Sequence, residues 1–148
     1  MSKKSAKIAA LIQSFEGQAW PAHYLGYFAC FNQGLFYESH DVLEELWLAN
    51  RGGSNDGFYK GLIQFAGAFV HLQKNRLRPA AALFRLSQSY LSLYPAVHEH
   101  LDVVRVLDLS DSWVARLEAG RFEVNPLSSN DAPRLELNDG TPISDPPR

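Results

Sequence analysis

The chain has 148 residues, is 46% hydrophobic and 20% charged, and carries a formal net charge of −2. This balance suits one globular domain with a real core and leaves no electrostatic footprint for nucleic acid. The single cysteine, Cys30, excludes an intramolecular disulfide, and its neighbours Phe28, Ala29 and Phe31 mark a buried, inert thiol rather than a nucleophile. The longest apolar run, Gly61 to Val70, falls short of the roughly 20 residues that a membrane span needs. The N-terminus lacks the apolar stretch of a signal peptide. The expected location is cytoplasmic.

In chain order, Ile8, Leu11, Ile12 and Phe15 recur at helical spacing, which predicts an amphipathic helix over 4–15, ended by Gly17. Pro21 suits the first turn of a second helix, running through Tyr24, Phe28 and Phe31 to Gly34, a left-handed cap. A third helix covers about 35–50. Arg51 to Asn55 reads as a loop, with Ser54 or Asn55 capping a fourth helix over about 56–75. That helix is apolar around most of its circumference and therefore central. Its one polar stripe holds Lys60, Gln64, Gly67, His71 and Lys74. Pro79 begins a fifth helix to about Tyr94, with Leu83, Leu86, Tyr90, Leu91 and Tyr94 inward, and Pro95 stops it. Val97, Leu101 and Val104 suggest a short helical piece. Ser110 or Asp111 then caps a last helix ending at Gly120.

The fold class is all-α: a compact multihelical bundle of about five to seven helices, a single domain over 1–120. Five of the eight prolines follow Gly120, so 121–148 reads as an irregular Pro-rich tail. Leu135 and Leu137 in it have the alternation of an extended segment on the bundle, and 139–148 are expected to be mobile.

The chemistry-bearing stretch is 36–47, where Phe36, His40, Leu43, Glu44 and Trp47 share one helical face. His40 and Glu44 are four apart, so their side chains can meet. Gln64 and His71 share a face of the next long helix. The short 51–55 connection makes these two helices antiparallel neighbours. The expectation is one polar cluster of His40, Glu44, Gln64 and His71, floored by Gly61 and Gly67. Such a cluster can satisfy itself and fix helix register, or it can line a pocket. As a pocket it would serve a binding or adaptor module for a small molecule or a protein partner. The alternative is a hydrolase-like enzyme, acid–base or metal-assisted, using His40, Glu44 and His71. Those three also have the donor chemistry of a zinc or iron site. The spacing is not His-Glu-x-x-His, nor the paired Glu-x-x-His of carboxylate-bridged bundles. No cofactor is expected, with a divalent metal as the minor alternative. Ser39 and Ser87 have no nucleophile context, and His98 and His100 read as surface residues. No nucleic acid or membrane partner is expected; the oligomeric state stays open.

Two stretches carry a resemblance. Phe31-Asn32-x-Gly34-x-Phe36-x-Glu38-x-His40-Asp41-Val42-Leu43-Glu44-Glu45-x-Trp47 and Gly61-Leu62-Ile63-Gln64-x-Ala66-x-Ala68-x-x-His71 together resemble the small helical family catalogued as domain of unknown function number 309. The resemblance covers about residues 20–95. It implies an all-α bundle of a kind found in bacteria and archaea, with recurring polar positions at Asn32, Glu38, His40, Glu44, Gln64 and His71. Asp41 stands where the family more often has glutamate, and the tail after Gly120 lies beyond the match. The family implies no particular reaction.

Overall fold

The computed structural model describes residues 3–128 and 131–138. Six α-helices account for most of them: α1 Lys3–Ile12, α2 Ala22–Asn32, α3 Phe36–Ala49, α4 Asp56–Gln73, α5 Leu77–Leu91 and α6 Val103–Ala119. A 3₁₀ turn, Gln13–Phe15, finishes the first helix, and a hairpin of two short strands, β1 Val97–His98 and β2 Leu101–Asp102, precedes the last. The all-α expectation holds.

The centre is α4, as its apolar circumference requires. Phe58, Leu62, Phe65, Ala66, Phe69 and Leu72 are all fully buried. Phe65 and Phe69 contact Phe31 of α2 and Phe84 of α5, and Phe69 meets Trp113 of α6 edge-on. Helix α3 runs antiparallel to α4: Phe36 stacks on Phe69, while at the other end Trp47 donates through Nε1 to Asp56 at 2.8 Å. Helix α5 is also antiparallel to α4. A Cβ on Gly57 would meet Tyr94, one on Gly61 Leu91, and one on Gly67 Leu83. At Gly61 that contact is 2.7 Å from Leu91 Cγ, so only glycine allows this approach. Ser87 uses it to donate to the Gly61 carbonyl at 2.7 Å. Ser39 likewise donates to the Tyr27 carbonyl, and Ser110 to Val106. Each of the three is completely buried and hydrogen-bonded, which is how hydroxyls enter a core without penalty. Helix α1 covers the side of α3 through Ile8 and Ile12 against Val42.

Several local expectations are corrected. Asn55 stands at the N-cap of α4 but makes no capping bond; its oxygen takes His98 Nε2 at 2.7 Å instead. The helical piece expected at Val97 is the hairpin. Glu99 and His100 both have left-handed φ, +49° and +61°, the geometry of a two-residue turn that normally asks for Asn or Gly. Tertiary contacts hold it, since the Glu99 carbonyl accepts from the Tyr24 hydroxyl at 2.7 Å and the His100 carbonyl from the Asn138 amide. His98 is not a plain surface residue, because its ring packs between Phe58 and Tyr94. Helix α6 starts earlier than Ser110, capped by the Asp102 side chain on the Arg105 amide. Leu86, placed inward by periodicity, is 43% exposed.

Described residues after Gly120 reach back onto the bundle. Leu135 and Leu137 are buried in the core, and Leu137 bridges Leu101. The expected mobility of 139–148 lies outside the described residues.

Candidate functional site

Helix periodicity alone brings Gln64 and His71 together: seven residues are almost two full turns of α4. Gly67 lies between them, and its missing side chain is the key to the site. A Cβ there would stand 3.2 Å from Leu83 Cδ1 of α5 and 3.8 Å from His40 Cδ2 of α3. Three helices therefore converge on one glycine, leaving a half-open pocket of about 170 Å³. Tyr37 and His40 from α3, Ile63, Gln64, Gly67, Val70 and His71 from α4, and Leu83 from α5 line it.

Its polar groups are few. Gln64 Oε1 and His71 Nδ1 are both buried, and neither has a hydrogen-bond partner. Burial, then the positive charges of Arg76 and Lys74, hold the His71 pKa below the ordinary imidazole value and favour the neutral ring. His40 is oriented by its neighbour, with Nδ1 3.2 Å from Asp41 Oδ1. A carboxylate only accepts, so this bond places the proton on Nδ1 and leaves the lone pair of the neutral ring on Nε2. Tyr37 forms the rim; it is 53% exposed, its ring nearly parallel to His40, with Lys74 Nζ 5.9 Å from its centroid.

Of the residues expected in the cluster, His40, Gln64 and His71 share this pocket. Glu44 does not line it. Four residues advance a helix face by about 40°, enough to carry Glu44 from the pocket edge to the side covered by α1. There its carboxylate accepts from Lys4 Nζ at 3.0 Å, and Lys4 also pairs with Asp41 at 3.5 Å. The carboxylate beside His40 is thus Asp41. Gly61 serves the α4–α5 contact rather than the pocket floor. Glu38 lies in the first turn of α3 and reinforces, after burial, the rise of the Cys30 thiol to about 11. Asn32 is a clamp on the tail. Its Nδ2 donates to the Leu135 carbonyl at 2.9 Å, and its Oδ1 accepts from the Leu135 amide at 2.8 Å. Among the described residues, no group of three or more His, Cys, Asp or Glu side chains is placed to hold a metal ion. Sequence reasoning missed Tyr37, Ile63, Val70 and Leu83 as lining residues. Tyr37 sits one helical turn before His40 on α3, and Leu83 of α5 faces Gly67 directly, a signal visible only once the helix pairing is known.

The family model described as Domain of unknown function (DUF309) matches residues 24–83. The chain resembles that family over α2, α3, α4 and the start of α5. The matched span contains every pocket residue. No curated protein and no solved structure matches the chain. Among the described residues, no helix is long and apolar enough to cross a membrane.

Proposed function

We propose that this chain is a small-molecule binding module and that the pocket between α3, α4 and α5 is its site. The observation that carries this reading is the pair of buried, unpartnered atoms, Gln64 Oε1 and His71 Nδ1. A polar network kept only to fix helix register satisfies its own members. Here two residues that line one concave, mostly apolar surface each keep a buried polar atom unsatisfied, at about 1–3 kcal/mol each. Such sites, apolar walls with a few convergent polar groups, are the usual form of ligand pockets. The reading needs neither nucleic acid nor membrane.

One observation favours a second reading. The Asp41–His40 pair is the arrangement of an oriented proton acceptor, so an acid–base activity would use His40 with Asp41, and His71, rather than Glu44. Both readings place the ligand in the same pocket.

The test is a fragment screen on ¹⁵N-labelled protein, read by amide shifts. Hits should cluster on the amides of Tyr37, His40, Gly67, Val70 and His71. Gly67→Ala, which puts a methyl group into the floor, should weaken them. Hits that scatter over the surface, or bind Gly67→Ala unchanged, overturn the assignment.

A further inference from the structure

Away from the pocket, the seat of residues 134–138 has the features of a strand-addition site. Leu135 and Leu137 are buried, while Arg134, Glu136 and Asn138 are exposed, the two-residue alternation of an extended chain. Leu101 pairs with His98 on one side and with Leu137 on the other. The segment therefore lies along the open edge of the β1–β2 hairpin, where backbone groups would otherwise be left unpaired.

The seat reads the main chain of its occupant. Asn32, the last residue of α2, accepts from the Leu135 amide through Oδ1 at 2.8 Å and donates to the Leu135 carbonyl through Nδ2 at 2.9 Å. One side-chain amide thus imitates the paired bonds of a neighbouring strand. Arg105, in the first turn of α6, donates to the Arg134 carbonyl at 2.8 Å, and the Asn138 amide donates to the His100 carbonyl at 2.6 Å. Every sequence has peptide groups, so these bonds select extended backbone. Side-chain identity is read at the two buried leucines, the division of labour typical of strand addition.

Contacts that do not involve the segment hold the seat in shape. The Tyr24 hydroxyl fixes the positive-φ turn through the Glu99 carbonyl at 2.7 Å. The Asp102 side chain accepts from the Arg105 amide at 3.1 Å and so ties the hairpin to α6. The described residues between Gly120 and the seat form neither helix nor strand and include Pro126 and Pro133, so the segment can leave without unwinding a helix.

We propose that the seat built by Asn32, the hairpin edge and Arg105 is a recognition site for an extended Leu-x-Leu segment of a protein partner, and that residues 134–138 occupy it in cis until that partner displaces them.

The test alters the occupant and leaves the seat intact. Leu135→Asp with Leu137→Asp in the full chain should free it. A fluorescein-labelled peptide, Ala-Pro-Arg-Leu-Glu-Leu-Asn (residues 132–138), is titrated by anisotropy. It should bind the double variant at least about tenfold more tightly than the wild type, whose tethered segment competes at high effective concentration. The peptide with both leucines changed to aspartate should not bind. Asn32→Ala added to the double variant should weaken binding about tenfold, through the lost backbone bonds. Equal binding to wild type and double variant overturns the proposal, as does no binding to a double variant that keeps its helical circular dichroism. Native-state hydrogen exchange of the wild type decides the matter if the variant does not fold. The Leu135 and Asn138 amides should exchange at least about tenfold faster than core amides of α4, through a local opening. Exchange of those amides only by global unfolding shows a fixed part of the core and overturns the proposal. A wild-type dimer that becomes monomeric in the double variant assigns the seat to a second copy of the chain and overturns the partner reading.

Discussion

Gln64→Leu separates a pocket kept for a ligand from a polar cluster kept for the fold. Gln64 sits on α4 with its Oε1 buried and without a partner, beside Ile63, Val70 and Leu83. Leucine has a similar volume and no polar atom. The substitution removes the desolvation cost of an unpaired carbonyl, about 1–3 kcal/mol. Because Gln64 is only partly buried, part of the amide is already hydrated, and the net gain should lie near the lower end, about 1 kcal/mol. For a chain of this size that corresponds to roughly 2–4 °C in Tm. Urea denaturation at constant m and thermal melting of the two proteins would measure it. Polar-to-apolar changes that stabilise a protein are the mark of residues retained for function. A loss of about 1 kcal/mol or more would refute the argument, since it would mean that the Gln64 oxygen holds the helices together.

Three further outcomes are expected. His71 has a depressed folded-state pKa, so as pH falls the unfolded chain takes up its proton first. The folded state is unpenalised by this group above pH of about 6.5 and loses stability on acidification below that value, so the unfolding free energy of the wild type minus that of His71→Phe should become more negative there, and a constant or rising difference would refute the depressed pKa. Glu44→Gln removes one exposed partner of Lys4 and should cost less than about 1 kcal/mol while leaving probe affinity at the pocket unchanged. A large loss of affinity would return Glu44 to the site. Asn32→Ala deletes both hydrogen bonds to Leu135, about 1 kcal/mol apiece. Hydrogen exchange should then accelerate selectively at the Leu135 and Leu137 amides, whereas uniform acceleration would show that Asn32 supports the whole bundle instead.

Much of the helical scaffold is legible from local rules. The apolar circumference of Asp56–Gln73 dictates a central helix, and left-handed caps fall at Gly34 and Asn75. The rules fail where distant contacts override them. The Glu99–His100 turn adopts positive φ because Tyr24 and Asn138 hold its carbonyls. Leu135 is buried because Asn32, far away in sequence, supplies the pairing that its backbone lacks.

For the site, the sequence by itself determined which polar groups one helix presents together. Gln64, Gly67 and His71 share a stripe because 3.6 residues make a turn, and no tertiary event can separate them. It also determined that His40 belongs to the neighbouring helix at matching height, given a short connection between antiparallel partners. Only the tertiary structure decided which acid accompanies His40. Glu44 and Asp41 flank the same edge of α3, Asp41 alone reaches His40 Nδ1, and α1 lays Lys4 against both carboxylates. That position is set by Ile8 and Ile12 packing against Val42, a contact between segments whose pairing no periodicity encodes. The fit of Leu83 against Gly67 was likewise decided by the α4–α5 approach, and it turns a polar stripe into a concave pocket.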